Sequence, residues 1–559
     1  MTMMVQVPDS YDPLNGCIIT APSSGSRGVY GAIATAGEWG LKRGCAVAYT
    51  DKGTGAGAHD LQNNTVNLIR GERADAAAAG DNANFIAAIS DNQRATFNAA
   101  TPNRFAFKHA HSQLNPEKDW GKNVLRSIEF AFEVLNEKFR GRGMKINKNN
   151  TTVIASSVSN GGGASVLAVE QDDNRLIDGL AVGEPNVNPT FKGNFSIVQG
   201  GGPAFFAHSK PLMDYTTLVN VYQSCASVAL VGVAPLNFAP SAGRCASLHA
   251  IGLLTSAALL DQANEAQAII NAHGILPEQN LVQPGYSFAS VPQSISVTYA
   301  NAYGRFSVLD NLCNFSFASN GPAPGVPGGP PVAIADADEA KIFSTSNGIP
   351  PTSTVALINN AAPGGPKEER GSTVNQNLDG ALCLRSLATG KDAVTGASLT
   401  GTPRSQALRI AEGVEDIRAS GKLRRVPAVF VTGRNDGILP PNFTSRAYFG
   451  LNNMVDGSTS SLRYYEVTNA HHLDTLNGAI GFGYDARYIP LHRYFIQAMD
   501  LMYAHLRQGR PLPPSQVVHT VPRGPGAPPI TAANVPPIAD SPPASALITF
   551  SGGQVRIPD

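Results

Sequence analysis

The sequence predicts an α/β fold: a mostly parallel sheet, covered by helices on both faces and interrupted by one large insertion. Three observations carry this. Short apolar runs alternate with amphipathic stretches over residues 1–189, the pattern of strands joined by crossover helices. The alternation stops over residues 190–415 and resumes over 416–509. Within the first part, the stretch TVIASSVSNGGGASVLAVEQ (152–171) begins as a strand, turns through serines and glycines, and ends as a helix.

Taken in order, VQVP and GCIITAP read as two strands joined by the turn DSYDPLNG. GAIATAGEWGLKRG reads as a helix ending at Gly44, CAVAYTD as a strand, and KGTGAGAHD as a Gly-rich loop. Residues 119–139 predict a long helix, because Val124, Ile128, Phe132 and Leu135 recur at spacings of three and four. Strands follow at 152–156 and within LIDGLAVGEPNV (176–187). The insertion mixes helical pieces, such as 253–274, with Pro/Gly-rich loops at 320–331 and 359–372. RVPAVFVTGRND and SLRYYEVTNA restore the strands, and YIPLHRYFIQAMDLMYAHLRQG closes the alternation as a helix. Residues 510–559 read as a Pro-rich arm packed on the core, with a possible strand in SALITFSGGQVRI.

Composition excludes several functions. Lys and Arg number 42, as do Asp and Glu, so nothing electrostatic favours nucleic acid or an anionic membrane. No apolar run reaches the roughly 18–20 residues that span a bilayer; the longest, at 227–240, is broken by prolines. The N-terminus lacks the basic and apolar regions of a signal peptide, an expectation of cytoplasmic residence or of a missing leader. Six cysteines form no zinc spacing; Cys225 and Cys245 suit a disulfide in an exported chain, or small buried hydrophobes otherwise. KGTGAGAHD lacks the Lys-Ser/Thr ending of a phosphate loop, DADEAKIF lacks the glycine of a calcium loop, and no GxGxxG opens a helix. No cofactor and no metal are expected. His109 and His111 stand two apart as on one strand face, without a partner cluster, so a structural role is expected.

The chemistry lies in Ser157-Val158-Ser159-Asn160-Gly161, a small-x-Ser-x-Gly turn between strand and helix. That is the nucleophile elbow of α/β-hydrolases, whose neighbours must be small so that strand and helix can approach. Ser159 is the candidate nucleophile; a Gly-rich helix start that binds an anion is the plainer reading. A serine needs a histidine to take its proton and a carboxylate to orient that histidine. Asp436 follows one later strand, and His471 and His472 follow the next, in the required chain order. Asp474 is too close in sequence to the histidines to serve as the acid. The oxyanion needs two N–H donors: that of Asn160, and one from Ser24, Gly25 or Ser26 in the loop after an early strand.

With these residues in place the chain resembles the D-(−)-3-hydroxybutyrate oligomer hydrolases, serine esterases distantly related to tannases and feruloyl esterases. The resembling segments are PDSYDPLNGCIITAPSSGSRGVYGAIATAGEWGLKRGCAVAYTDKGTG, FKHAHSQLNPEKDWG, SSVSNGGGASVLAVEQD, VPAVFVTGRNDGILPPNFTSR, VTNAHHLDTL and LPPSQVVHTVPRG. The resemblance assigns Ser159 as nucleophile, Asp436 as acid and His472, rather than His471, as base. It implies an α/β-hydrolase fold with the insertion as a lid, and cleavage of dimers and trimers to monomers through an acyl-enzyme, without a cofactor. It also implies an exported protein with a further N-terminal region. Tannases carry cysteines beside the serine and histidine, where this chain has Val158, Asn160 and Leu473. A feruloyl-esterase-like or aromatic-polyester hydrolase on the same triad is the second expectation, and a catalytically silent binding module the third. The expected partner is a small ester or oligoester. Arg27 and Arg434 are the candidates for holding an oligomer's terminal carboxylate.

Overall fold

The computed structural model describes residues 1–141, 143–231, 241–345, 354–479 and 481–559. Its central sheet has eight strands: β1 (Met3–Gln6), β2 (Gly16–Pro22), β3 (Ala46–Thr50), β4 (Thr151–Val158), β5 (Gly179–Gly183), β6 (Ala428–Gly433), β7 (Leu462–Val467) and β8 (Gln516–Val518). Their lateral order is β1-β3-β2-β4-β5-β6-β7-β8. β1 runs antiparallel to β3, and every other neighbouring pair is parallel. A sheet covered on both faces needs strands that are apolar throughout, and β2, β3, β5 and β6 are buried along their whole length.

Helices close both faces. On one, Val124, Ile128 and Leu135 of helix Trp120–Lys138 share a core with Val166 of helix Ser159–Gln171 and with Phe430. On the other, Tyr494, Phe495, Ala498 and Met502 of helix His492–Gln508 pack on Ile154, Val429 and Val431. The parallel strands all end at one edge, and loops at that edge are where ligands bind in such sheets.

Between β5 and β6 the chain builds a separate helical layer. Helices Leu212–Ala226, Leu259–His273, Val291–Gly304, Leu378–Thr389 and Gly401–Glu415 enclose their own core, with Tyr299, Tyr303, Phe317 and Leu384 fully or nearly buried. A small antiparallel sheet, Phe315–Ala318 with Ala356–Asn359 and Lys367–Glu368, belongs to this layer. Phe105 and Phe107, from the early part of the chain, join the same core.

Several local expectations change. The helix expected over 31–44 opens as a 3₁₀ turn and a π turn, and only Glu38–Lys42 is α-helical. The Gly-rich loop after β3 carries the short strand Ala58–Asp60, which pairs with Phe105–Phe107 and Thr65–Asn67. His109 and His111 lie in the short helix Lys108–His111 rather than on a strand. The C-terminal arm adds β8 to the sheet edge, and its hairpin Thr549–Ser551/Gln554–Ile557 pairs with Ser196–Gln199. Of the apolar run 227–240, residues 232–240 lie outside the described residues. No helix among the described residues is long and apolar enough to cross a membrane. All six cysteines are bridged, as Cys17–Cys45, Cys225–Cys245 and Cys313–Cys383.

Candidate active site

Ser159 sits at the junction of β4 and the helix Ser159–Gln171, with φ at +55°. A left-handed backbone at a non-glycine residue costs about 1–3 kcal/mol and persists only where packing over-determines it. Here the packing is explicit. A Cβ on Gly161 would lie 2.2 Å from the Pro22 carbonyl oxygen, and one on Gly163 would lie 2.0 Å from that of Asn186. Both contacts are with backbone, so the glycines are what let the helix close on its neighbours. Ser157 Oγ donates to the Pro22 carbonyl at 2.7 Å, tying the turn to the end of β2. It is a clamp, pointing away from the role given to Ser159.

Ser159 Oγ lies 2.9 Å from His472 Nε2, and His472 Nδ1 lies 2.8 Å from Asp436 Oδ2. The His472 side chain is 6% exposed and that of Asp436 fully buried. Asp436 accepts twice more at Oδ1, from the N–H groups of Ile438 and Leu439, so its orientation is fixed by its own loop. The three groups arrive from the ends of β4, β6 and β7.

His471 faces the other way. It is wholly buried, with Nδ1 2.7 Å from Tyr286 Oη and Nε2 2.7 Å from Asn477 Oδ1. Burial pushes its pKa down to about 4. Asp474 accepts from the N–H groups of Leu491 and His492, holding the start of the last helix. Neither contacts Ser159.

The Ser159 side chain borders a cavity of about 180 Å³, walled by Leu212, Val291, Ile295, Ile438 and Leu439. Asn160 is the second residue of its helix, so its N–H has no intrahelical partner. Its side chain is held by Tyr299 and Asn186. Ser24 and Gly25 also line the cavity. The Ser26 side chain turns inward onto His109 Nδ1, at 2.6 Å. Gly25 takes a φ of +57°, and its carbonyl accepts from the buried Lys52 ammonium at 2.7 Å. In a trans peptide that grip turns the N–H of Ser26 to the opposite side. Among the described residues, no partner accepts from the N–H groups of Ser24, Gly25 or Ser26.

His109 and His111 are structural: His109 stacks edge-on against Tyr299, and His111 Nδ1 accepts from the Phe107 N–H. Arg434 is committed elsewhere, to Glu466 and the Pro558 carbonyl. Nor does it line the cavity that Ser159 borders, which corrects its reading as a carboxylate anchor.

Sequence reasoning missed Glu184. It follows β5 directly, lines the cavity, and its Oε2 is buried with no partner. Burial, then the nearby charges of Asp436 and Asp474, push its pKa well above the usual carboxylate range. An acid just past a buried strand, on the same edge as Ser159, was the available signal.

A model of the 3HB-oligomer hydrolase family matches residues 1–559. The chain belongs to that family. A D-(−)-3-hydroxybutyrate oligomer hydrolase of Polaromonas naphthalenivorans (strain CJ2) is 51% identical over 581 residues, covering 100% of this chain and 80% of the relative. That of Albidiferax ferrireducens is 49% identical over 581 residues, with the same coverage. Among solved structures, feruloyl esterase B from Aspergillus oryzae aligns over 92% of this chain and 80% of its own, at 11% identity and a TM-score of 0.32.

Proposed function

We propose that this 3HB-oligomer hydrolase family member is a serine carboxylester hydrolase that cleaves 3-hydroxybutyrate dimers and trimers to monomers. The observation that carries the reading is the hydrogen-bond chain Ser159–His472–Asp436 at one edge of the sheet. The naming of its relatives as D-(−)-3-hydroxybutyrate oligomer hydrolases supports the substrate. Ser159 Oγ attacks the ester carbonyl while His472 Nε2 takes its proton. Asp436 holds the imidazole with Nδ1–H toward itself and stabilises the imidazolium. The oxyanion rests on the N–H of Asn160 and one from the Ser24–Ser26 loop, in a site helped by the helix N-terminus. His472 then returns the proton to the leaving alkoxide. Water, deprotonated by the same imidazole, cleaves the acyl-enzyme.

The same reading assigns an α/β-hydrolase core to 1–189 and 416–509, a lid to 190–415 and an arm to 510–559. Supporting the lid, Leu212, Val291, Ile295 and Tyr299 all come from the helical layer and wall the cavity beside Ser159. Their apolar surface suits the methyl branches of the oligoester.

The test is hydrolysis of (R)-3-hydroxybutyrate dimer and trimer beside methyl ferulate, followed by chromatography of the acids released. Monomer release from both oligomers, faster than ferulate cleavage, is the expected result. Ferulate cleavage with the oligomers intact would move the protein to aromatic esters.

A further inference from the structure

Arg27 lines the same cavity as Ser159 and His472, at the end of the loop that carries Ser24 and Gly25. Among the described residues it makes no hydrogen bond and no ion pair, and its Nε is buried without a partner. It is the only guanidinium or ammonium group among the residues lining that cavity. Every other arginine so deeply placed among the described residues is paired. Arg104 binds Ser316, Asn360 and the Pro102 carbonyl; Arg244 binds four backbone carbonyls; Arg446 binds Glu466. A desolvated cation without an acceptor is costly, and a carboxylate is the group whose two oxygens match the guanidinium fork.

The neighbourhood sharpens this. Burial pulls the Arg27 pKa down, and its charge adds to the burial that lowers the pKa of Lys52. Both effects are relieved by an anion. The one acid in the cavity wall, Glu184, makes no ion pair with Arg27, and burial disfavours its charged form.

We propose that Arg27 binds the free carboxylate of the oligoester and so selects the ester bond next to the carboxyl terminus. The proposal rests on the functional reading above. In a 3-hydroxybutyrate oligomer the terminal carboxylate is the only charged group. The ester oxygen, one methine and one methylene separate it from the last ester carbonyl, so one small cavity holds both. With the carboxylate on Arg27, the departing alcohol is a single 3-hydroxybutyrate, protonated by His472, and the rest of the chain stays on Ser159 until water releases it. Shortening therefore proceeds by one unit per turnover from the carboxyl end. Arg27 acts here on specificity, through binding.

The test compares (R)-3-hydroxybutyrate dimer as free acid and as methyl ester, in wild type, Arg27→Gln and Arg27→Lys. Wild type is expected to prefer the free acid in kcat/KM by about 10- to 100-fold, the worth of a charge-assisted pair, with the difference mostly in KM. Arg27→Gln is expected to bring the ratio near one, and Arg27→Lys to fall between. A ratio near one in wild type, or a ratio unchanged in Arg27→Gln, overturns the proposal. A second readout needs no turnover: thermal stabilisation of Ser159→Ala by the same two compounds. The acid should stabilise more than the methyl ester, and adding Arg27→Gln should erase the difference. Equal shifts overturn the proposal even if catalysis behaves as expected. If wild type cleaves neither compound, the functional reading fails, and the thermal shifts still decide the carboxylate site.

Discussion

Ser159→Ala and His472→Ala are each expected to lower kcat on the (R)-3-hydroxybutyrate dimer by about 10⁴- to 10⁶-fold, and the double variant no further. The two side chains act as one unit: the hydroxyl is a weak nucleophile until the imidazole, 2.9 Å away at Nε2, takes its proton during attack. Removing either leaves only binding and the oxyanion donors. Ser159→Ala keeps the fold, because alanine meets the same φ of +55° with the same backbone supports. His471→Ala separates the two histidines. It deletes partners of Tyr286 and Asn477 inside the core, at a cost of about 1–3 kcal/mol for the groups left unsatisfied. Its signature is a lower melting temperature. A kcat collapse in His471→Ala with His472→Ala active would reverse the assignment of the base.

Glu466→Gln is expected to cost about 3–5 kcal/mol of stability, because removing one member of a buried ion cluster strands the rest. Glu466 lies in β7, fully buried, and accepts from Arg434, Arg446 and Tyr464. Burial alone would raise its pKa, but Arg446 and then Arg434 outweigh that and hold it at about 2. A carboxyl lowered on folding stabilises the folded state above its unfolded pKa of about 4.3. That contribution is lost as pH falls from there toward 2. Denaturant titration should therefore show a large gap between wild type and Glu466→Gln at pH 7, narrowing in acid. A gap independent of pH would contradict the charge account. Arg434 stands two residues before Asp436, so the cluster also supports the loop that orients His472.

Much of the site was legible because its constraints are local. A serine between a buried strand and three glycines states the turn, since no Cβ fits at Gly161 or Gly163. Asp436 and His472 were visible as polar residues directly after apolar strands. The choice of His472 over His471 rested on the family resemblance alone, because both follow the same strand and only the loop's path decides which ring faces Ser159. The unpaired state of Glu184 and of Arg27 was hidden for a related reason: whether a charged residue has a partner depends on chain segments distant in sequence. Cys225–Cys245 was open to reading at a separation of 20, whereas Cys313–Cys383 is 70 residues apart and brought together by the helical layer. β8 is three residues long among prolines, and it earns its place only by pairing with β7.

The central claim is that Ser159 performs the oligoester cleavage. Its most direct test is stepwise labelling with a fluorophosphonate, with peptide mass mapping and dimer hydrolysis measured on the same samples. The account predicts one phosphonyl group, on the peptide carrying Ser159, and loss of dimer hydrolysis in proportion to the label. Fully labelled protein that still cleaves the dimer, or a label on another residue that tracks the lost activity, would contradict it.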